Sequence, residues 1–320
     1  MHRYLVWRIL LFAPTLVIVS LIIFGIMRVL PGDVVNVVLG GTGQTTYDAA
    51  QLESLREELG LKDTLAVQYG KWLWSMVNGE FGGRSLVDRE SIRSLIARQL
   101  PVTVQLALYT MTLSIVLSVP LGVVAAIKQG RWPDYLVRLV TITGQAVPGF
   151  WLALLFLLGL LVMFRWSPPV IYSNVWEDPW NHAQLMVWPT LALAWGYGSY
   201  LTRVVRASML EVLRQDYMRT AHGKGLGGWV VFYRHGLRNA MIPIVSVVGL
   251  QVGGLLGGAV ILESIFVLPG LGRGIAQAVV ARDYPVIQSL ATILVVLMLS
   301  VNLIVDMAYA LLDSRISYDV

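Results

Sequence analysis

Residues 215–243 are the part of this chain whose residue types and spacing are best suited to binding another molecule. The segment carries four basic side chains and a group of four glycines, whereas Asp216 is its only acid. Apolar stretches flank it on both sides, and a segment with this charge cannot lie in hydrocarbon. We therefore predict an aqueous loop that contacts a soluble partner. The basic residues are Arg219, Lys224, Arg234 and Arg238, and the glycines are Gly223, Gly225, Gly227 and Gly228.

The side chains that would support catalysis or metal binding are missing or scattered. The chain has no cysteine, which excludes disulfides, thiolate metal sites and cysteine nucleophiles. Its four histidines do not cluster with carboxylates at the spacing of metal ligands. No segment has the form GxxxxGK followed by Ser or Thr, which binds phosphates. The sequence therefore predicts a protein that is not an enzyme and binds no cofactor or metal of its own.

The composition is typical of membrane proteins. Of the 320 residues 56% are hydrophobic and 13% are charged, and the mean hydropathy is +0.68, whereas about 25% of a globular domain is charged. Six stretches are long and uncharged enough to cross a hydrocarbon core, which takes roughly 20 helical residues. We predict spans over residues 9–27, 101–127, 139–164, 183–202, 241–262 and 286–305.

The distribution of Lys and Arg predicts which ends of the spans face the cytoplasm. With the N-terminus inside, the inner segments hold thirteen Lys and Arg, whereas the two short outer segments hold three. The long outer loop 31–100 counts little, because long loops translocate largely regardless of charge. We therefore predict that both termini are cytoplasmic. The inner segments are 1–8, 128–138, 203–238 and 312–320, and the short outer ones are 165–184 and 263–286.

The outer segments are predicted to contain helices of their own. In loop 31–100, apolar residues recur at helical spacing from Leu65 to Met76, and we also predict helices over 48–59 and 88–99. The last outer segment has a turn at Pro269 and Gly270, then an amphipathic stretch that reaches the sixth span near Tyr284. These elements either cover the membrane surface or form a docking surface for a soluble outer partner.

Prolines and glycines make the predicted spans irregular. Pro120, Pro148 and Pro189 lie within them and free backbone carbonyls. The fifth span has glycines at spacings of four, which lets helices approach closely. Helix packing explains these residues, and a kinked bundle also suits a protein that changes shape. The glycines are Gly249, Gly253 and Gly257 in one row and Gly254 and Gly258 in the other.

Ionisable residues are almost absent from the spans. Asp306 lies near the inner end of the sixth span, and Arg28 and Glu263 lie at outer boundaries. Ion-driven transporters keep acids or histidines inside their spans as relays, so active transport here would draw its energy from another subunit. A stand-alone channel would also lack relays, but it would not need a patterned basic loop. A membrane-embedded enzyme would need a cluster of acids or histidines at one face, which the sequence does not contain.

The basic segment also follows an ordered motif. Aligned on Gly225, Arg219-Thr220-Ala221 takes the place of E-A-A, and His235 to Arg238 takes the place of I-x-L-P nine residues later. Arg219 stands where that motif has Glu, and Arg238 where it has Pro. The segment is closer to the variant Y-x-R-T-A-x-x-K-G-L followed by R-H-x-L-R-N-A. The matching residues are Tyr217, Arg219, Thr220, Ala221, Lys224, Gly225, Leu226, Arg234, His235, Leu237, Arg238, Asn239 and Ala240.

Both patterns belong to one family. The chain resembles the membrane subunits of binding-protein-dependent ABC importers, and the variant is similar to their dipeptide, oligopeptide and nickel permeases. Segments 4–33, 269–288 and 310–316 agree as well, so the resemblance covers nearly the whole chain. It implies an all-α, polytopic membrane protein with six spans and the type I ABC importer permease fold. Residues 1–94 would hold the first span and the long extracytoplasmic loop, and residues 95–320 the permease core with the coupling loop.

The resemblance also implies partners and roles. In this family two permeases pair, and each presents a cytoplasmic coupling helix to an ATP-hydrolysing subunit. The expected partners are a second homologous permease, two ABC ATPase subunits that bind ATP and Mg²⁺, an extracytoplasmic solute-binding protein and membrane lipid, but no nucleic acid. The expected location is the plasma (inner) membrane of a bacterium or archaeon. The coupling residues would be Asp216, Tyr217, Arg219, Thr220, Ala221, Lys224, Gly225 and Leu226, in a helix over 216–225 that Gly225 ends.

The cargo expected from the resemblance is a dipeptide or oligopeptide, with nickel chelates and oligosaccharides as open alternatives. The lack of cysteines, of histidines in the spans and of acid clusters argues against a bare metal ion in the pore. A peptide backbone needs a roomy polar path, although Gln and Asn inside spans also bond neighbouring helices. The predicted path residues are Gln145, Trp151, Ser246, Gln251, Gln288 and Asn302.

Overall fold

The computed structural model describes residues 2–29, 53, 62–225 and 227–312 of the chain. Over these ranges helices are joined by turns, with one isolated antiparallel bridge between Arg84 and Ser91 and no strand. The predicted all-α class is therefore confirmed. The helices are α1 (His2–Val29), α2 (Leu65–Val77), α3 (Ile92–Ile127), α4 (Trp132–Ala146), α5 (Gly149–Phe164), α6 (Pro179–Leu213), α7 (Asp216–Gly223), α8 (Gly228–Val230), α9 (Arg238–Ile265), α10 (Leu271–Ala281) and α11 (Tyr284–Leu312), and a π-helical segment, Val231–Leu237, links α8 to α9.

Four helices are long and apolar enough to cross a membrane, namely α1, α3, α9 and α11. The helices α4 and α5 together make a fifth if the pair, which is bent by 100°, is counted as one span. The described part of the chain thus holds four or five such spans, as a multi-pass membrane protein requires. The fourth predicted span falls within α6, which is 35 residues long but carries more polar and charged residues than the others. The count of six spans stays a prediction.

The third predicted span, 139–164, is wrong as a single helix. The helix α4 ends at Ala146, and α5 begins at Gly149 after a bend of 100°. Between them Val147 and Pro148 have extended backbones, with ψ angles of 120° and 135°. Proline has no N–H to donate and disfavours the helical conformation in the residue before it. The helix therefore stops before Pro148, and a new helix starts after it.

The predicted outer helix 88–99 and the second predicted span are one element, so their separation is wrong. The helix α3 runs through Pro101 without a break, because membrane helices tolerate a proline where neighbours satisfy the freed carbonyl. Its first turns are held by Ile92 and Ile96, both buried in a hydrophobic core. The helix predicted around Leu65 is confirmed by α2. The helix predicted over 48–59 lies, apart from residue 53, outside the described residues.

The chain forms two compact units that interleave along the sequence. Unit 1 comprises Met1–Val6, Val104–Leu268 and Met298–Val320, and unit 2 comprises Trp7–Thr103 and Pro269–Leu297. The boundaries fall inside α1, α3 and α11 and just before α10. The predicted domains, residues 1–94 and 95–320, are instead two consecutive segments of the chain, and this division stays a prediction.

In unit 1 the central helix is α6, which packs against α4, α5 and α9. Its residues Leu201, Val205 and Met209 are fully buried in a hydrophobic core shared with α3 and α9. The close approach of α3 to α6 depends on Gly122. A Cβ added there would lie 2.6 Å from Val205 Cβ and 2.9 Å from the Thr202 carbonyl oxygen.

The glycine rows of α9 serve helix packing, as predicted. On one row, a Cβ added at Gly253 would lie 2.8 Å from Met298 Cε of α11. On the other, a Cβ added at Gly254 or at Gly258 would lie 3.5 Å from the Tyr197 hydroxyl of α6. Larger side chains at these positions would push α9 away from its two neighbours.

In unit 2 both segments of the chain contribute to one hydrophobic core. Ile92 and Ile96 of α3 pack with Leu271 of α10 and with Ile287 and Leu290 of α11. The amphipathic stretch predicted after the Pro269-Gly270 turn is confirmed as α10. The last helix, α11, contains the predicted span 286–305 and begins two residues before it, at Tyr284.

Candidate functional site

The segment predicted to contact a partner begins with α7. The predicted helix is thus confirmed, although it ends at Gly223, two residues earlier than expected. The Lys224 N–H still donates to the Thr220 carbonyl oxygen at 3.0 Å, and Gly225 follows with a φ of +76°. A left-handed residue just beyond the last helical bond is a common helix ending, and it favours glycine. Leu226 lies outside the described residues.

The apolar face of α7 fixes this short helix to the protein. Met218 is 1% exposed and Ala221 is 8% exposed, three residues apart on one face. Both pack with Val231 in a small hydrophobic core, which Val212 and Leu213 at the end of α6 also contact. The sequence analysis missed Met218, although an apolar residue three positions before Ala221 in a polar segment indicates an anchored face.

The opposite face of α7 is exposed and polar. The side chains of Asp216 and Arg219 are 95% and 79% exposed, with 3.5 Å between Oδ1 and Nη1. An ion pair at the surface contributes about 0–1 kcal/mol, so both groups stay available to a partner. The Thr220 hydroxyl donates to the Asp216 carbonyl oxygen at 3.0 Å, and Asn239 Nδ2 donates to the Tyr217 hydroxyl at 3.0 Å.

Most of the predicted coupling residues therefore lie on one accessible surface, which we call the α7 surface and which comprises Asp216, Tyr217, Arg219, Thr220, Lys224 and Gly225. Ala221 points into the protein instead. The surface offers hydroxyl donors and two cations on a helix that its apolar face holds in place. This arrangement suits the binding of an acidic groove on another protein.

An unpredicted buried ion pair joins α4 to α6. The Asp134 carboxylate, whose side chain is 1% exposed, accepts hydrogen bonds from Arg206 Nε at 2.7 Å and from Arg206 Nη2 at 2.8 Å. The Gly130 N–H also donates to Asp134 Oδ2, at 3.0 Å. Two parallel bonds to one guanidinium are a strong form of this contact, and they neutralise a charge that burial would otherwise penalise. The signal in the sequence is that Asp134 is the only acid in the basic segment 128–138.

A cavity of about 430 Å³ lies in unit 1 among α4, α5, α6 and α9. Two predicted path residues, Gln145 and Gln251, line it together with Tyr197 and Tyr200. Gln251 Nε2 donates to the Tyr197 carbonyl oxygen at 3.1 Å, while Gln251 Oε1 is buried without a hydrogen-bond partner. Gln145 Oε1 accepts from the Arg203 guanidinium. The wall offers amide and hydroxyl groups on an apolar background, which suits a neutral polar group.

The other four predicted path residues do not line this cavity. Trp151 is 48% exposed on α5, and Ser246 and Asn302 are partly buried on α9 and α11. Gln288 belongs to unit 2, where it lines a separate cavity. The structure thus brings together two of the six residues. The sequence analysis missed Tyr197 and Tyr200, although tyrosines beside glycines within a span indicate a polar opening.

His182 is the histidine whose side chain the structure describes, and both of its ring nitrogens have protein partners. Its ring is 3% exposed, with Nδ1 3.1 Å from the Ser173 carbonyl oxygen and Nε2 3.2 Å from the Tyr109 hydroxyl. A neutral ring with its proton on Nδ1 donates to Ser173 and accepts from Tyr109, which satisfies both nitrogens. Tyr172 lies edge-on to the same ring, and burial raises the pKa of the Tyr172 hydroxyl. Over the described ranges, no three His, Asp or Glu residues are grouped to hold a metal ion.

Two family models match the chain. The model described as "Binding-protein-dependent transport system inner membrane component" matches residues 118–318. The model described as "Binding-prot-dependent transport system membrane comp, N-term" matches residues 1–107. The first match includes the α7 surface, and the two together leave only residues 108–117 and the last two residues unmatched.

Relatives and solved structures agree with the family models. The dipeptide transport system permease protein DppB of Alkalihalophilus pseudofirmus is 37% identical over 338 residues, covering 99% of this chain and 100% of that protein. The glutathione transport system permease protein GsiC of Escherichia coli strain K12 is 37% identical over 318 residues, with the same coverage. The MetNI methionine ABC transporter in its inward-facing conformation shares the fold, with a TM-score of 0.58 at 15% identity over 70% of this chain and 99% of that one. The chain therefore belongs to the family of inner membrane components of binding-protein-dependent transport systems.

Proposed function

We propose that this chain is one of two permease subunits of an ATP-driven importer and forms half of the path for short peptides delivered by a solute-binding protein. Membership of the family supports the role, and the relatives named for dipeptide and glutathione transport support the cargo. The proposed architecture is the type I ABC importer permease fold, with six spans and both termini cytoplasmic. The proposed location is the plasma (inner) membrane of a bacterium or archaeon. The likeness to the MetNI transporter and the distribution of Lys and Arg support both.

The energy for transport comes, in this proposal, from outside the chain. Two separate ATPase subunits bind ATP and Mg²⁺, a second permease of the same family completes the path, and this chain is not an enzyme. The absence of a phosphate-binding motif from the sequence supports that division of labour. The partner permease is either a homologue or a second copy of this chain.

The observation that carries the proposal is that one continuous helix, α6, links the α7 surface to the cavity of unit 1. Val212 and Leu213 at its end pack on the core that holds α7. About three to five turns earlier, Tyr197 and Tyr200 of the same helix line the cavity. A displacement of α7 by an ATPase subunit is therefore passed along α6 to the cavity wall. A ligand or nucleotide drives such a change only through its different affinities for the two states.

Each residue of the coupling segment has a proposed role. Tyr217, Arg219, Thr220 and Lys224 contact the ATPase subunit, because they lie on the α7 surface. Asp216 places a negative charge in the first turn of α7, where the helix dipole favours it. Ala221 anchors the helix through its buried methyl group, and Gly225, with its positive φ, redirects the chain after it. Leu226 stays a predicted coupling residue.

The proposed cargo follows from the lining of the cavity. Gln145 and Gln251 supply uncharged amide groups, and Gln251 Oε1 has no hydrogen-bond partner, so a turn of this side chain would offer an acceptor to a peptide N–H. Trp151, Ser246 and Asn302 stay predicted path residues. Among the described residues that line the cavity there is no acid and no histidine, which favours a peptide backbone over a nickel ion. Uptake of a labelled dipeptide, compared with uptake of a labelled oligosaccharide, distinguishes the two kinds of cargo.

The test of the proposal replaces Gly225 by proline. Proline fixes φ near −65° and disfavours the helical conformation of the residue before it, whereas Gly225 has a φ of +76°. We expect the Gly225→Pro variant to reach the membrane at normal abundance but to lose ATP-driven uptake of a labelled dipeptide down to the level of cells without the chain. The matched control is Gly223→Ala, because Gly223 is helical and a Cβ there would meet no atom within 4 Å.

Each outcome decides a different part of the proposal. Normal uptake by the Gly225→Pro variant at normal abundance would contradict the role of the α7 surface. Purification of the tagged chain without any ATPase, even after cross-linking, would contradict the importer itself and favour a stand-alone channel. An importer that takes up an oligosaccharide but no dipeptide would contradict only the cargo.

A further inference from the structure

Unit 2 contains a cavity that neither the α7 surface nor the cavity of unit 1 explains. Its volume is about 330 Å³, and it lies among the end of α1, the helix α2, the loop 80–86 and the start of α11. Small-molecule pockets usually measure roughly 300–1,000 Å³. The cavity is therefore large enough for a small ligand.

Two opposite charges line this cavity, and neither has an ion-pair partner among the described residues. The Arg28 guanidinium lies over the Phe24 ring, 4.9 Å from its centroid, and pairs with no acid in the part of the chain that the structure describes. Glu80 is exposed, and it too has no ion pair within those ranges. The two remaining charges of the lining, Lys71 and Asp63, pair with each other at 2.6 Å. One cation and one anion thus face the cavity without neutralising each other.

Two hydrogen-bond donors in the same lining are buried without an acceptor. Gln288 is 6% exposed, and its Nε2 has no hydrogen-bond partner. Trp72 Nε1 is buried and likewise has none. A buried N–H that has lost its water raises the free energy of the folded state unless another group accepts from it. Both side chains line the cavity, although neither nitrogen is accessible from it in this conformation, so each side chain has to turn for its N–H to donate to a ligand there.

We propose that the unit 2 cavity binds a zwitterionic small molecule. Its oxyanion accepts hydrogen bonds from the Arg28 guanidinium and from the N–H groups of Trp72 and Gln288, and its ammonium group is attracted by Glu80. A guanidinium suits this role because its planar fork binds carboxylates and phosphates through two parallel bonds. The rings of Phe24 and Trp72 cover the apolar part of the ligand.

Two kinds of ligand carry both an oxyanion and an ammonium group. One is a short peptide with free termini, and in that case the inference rests on the proposed function. The other is the phosphoethanolamine headgroup of a lipid, which has a phosphate and an ammonium group. Arg28 is the last residue but one of the apolar stretch Leu10–Val29, so the cavity lies at the level where lipid headgroups and soluble ligands both reach.

The first arm of the test uses a soluble probe. The tagged chain is purified with whatever subunits copurify with it, in detergent free of phosphatidylethanolamine and without binding protein or nucleotide, and is titrated with radiolabelled dialanine. Unlabelled dialanine competes, whereas the uncharged N-acetyl-dialanine amide is expected not to. The variants are Arg28→Gln, which removes the charge, and Trp72→Phe, which removes only the N–H. Arg84→Gln is the control, because Arg84 is exposed in the same unit and does not line the cavity.

The second arm uses a lipid probe. Native mass spectrometry counts phosphatidylethanolamine molecules retained by the same four proteins, with diacylglycerol as the uncharged comparison. For whichever probe binds, we expect Arg28→Gln and Trp72→Phe to raise the Kd by about tenfold or more, as for the loss of a charge-assisted hydrogen bond. We expect Arg84→Gln to stay within about twofold of the unaltered protein.

The possible outcomes distinguish a soluble ligand, a lipid headgroup and a cavity that binds neither. Binding of dialanine alone identifies a soluble ligand, and binding of the lipid alone identifies a headgroup. If the unaltered protein binds neither probe, or if all four proteins bind alike, the cavity holds only water and the proposal is overturned. Because neither arm depends on ATP or uptake, failure of the proposed transport function leaves this result readable.

Discussion

A single carboxylate, that of Asp283, organises the loop before α3. It is 4% exposed and accepts hydrogen bonds from Ser85 Oγ at 2.5 Å, from the Leu86 N–H at 3.3 Å and from the Val87 N–H at 3.4 Å. Ser85 and Asp283 are 198 positions apart in the chain. This one side chain therefore joins the two segments of unit 2 as directly as the hydrophobic core does.

We expect Asp283→Ala to destabilise the folded protein. Its loss leaves a buried hydroxyl and two backbone N–H groups without their acceptor, and each such group costs about 1–3 kcal/mol. The measurement is the Tm of the purified complex in detergent. The matched control is Asp88→Ala, since Asp88 is close in sequence but exposed. Equal Tm values for the two variants would contradict the organising role of Asp283.

At the residue scale, the exposure of polar side chains was easier to predict than the partners of buried ones. The exposure of the α7 surface follows from charge, because a basic segment between apolar spans must face water, whereas its coupling role was implied by the resemblance and stays a prediction. The pairing of Asp134 with Arg206 did not follow, because it joins residues 72 positions apart and needs the packing of α4 on α6. Gln288 was placed in the transport path for its polarity, yet polarity does not tell which cavity a side chain lines.

At the scale of helices, the contact between α3 and α6 depends on the missing side chain of Gly122. A Cβ there would meet Val205 Cβ at 2.6 Å and the Thr202 carbonyl oxygen at 2.9 Å. Neither atom moves without its backbone, so Gly122→Ala must separate the two helices. We expect a loss of about 1–3 kcal/mol, as for other overpacked sites, measured as a lower Tm of the complex.

The control for this prediction is Gly159→Ala on α5. A Cβ at Gly159 would meet no atom within 4 Å, and alanine favours a helix over glycine by roughly 0.5–1 kcal/mol. We therefore expect Gly159→Ala to keep or slightly raise the Tm. If Gly122→Ala had the same Tm as Gly159→Ala, α3 and α6 would not be in close contact in the protein.

Helix positions followed from hydrophobic periodicity, whereas helix breaks did not. The helices α2 and α10 lie where apolar spacing placed them, whereas α7 was expected from the resemblance. Proline was the misleading signal, because α3 passes through Pro101 while α4 and α5 separate at Pro148. The same residue type either continues or stops a helix according to whether its neighbours satisfy the freed carbonyl, and those neighbours are tertiary.

At the scale of the whole molecule, the predicted orientation in the membrane is directly testable because the chain has no cysteine. A single cysteine introduced at Val170, which is 83% exposed, lies in a predicted outer loop. One at Arg131, also exposed, lies in a predicted inner loop. We expect a membrane-impermeant maleimide to label Val170→Cys in intact cells, and Arg131→Cys only after the membrane is permeabilised. The reverse pattern would overturn the assignment of both termini to the cytoplasm.

The interleaving of unit 2 with unit 1 has a consequence for how the protein is made. Trp7–Thr103 and Pro269–Leu297 belong to one unit, yet a ribosome that adds about 5–20 residues per second takes roughly 10–40 s to pass from the first segment to the end of the second. During that delay Ile92 and Ile96 are synthesised but Leu271 and Ile287, with which they pack, are not. Until the second segment is made, the core of unit 2 is incomplete and its apolar residues are accessible to proteases and chaperones. A chain truncated before residue 269 cannot complete this core.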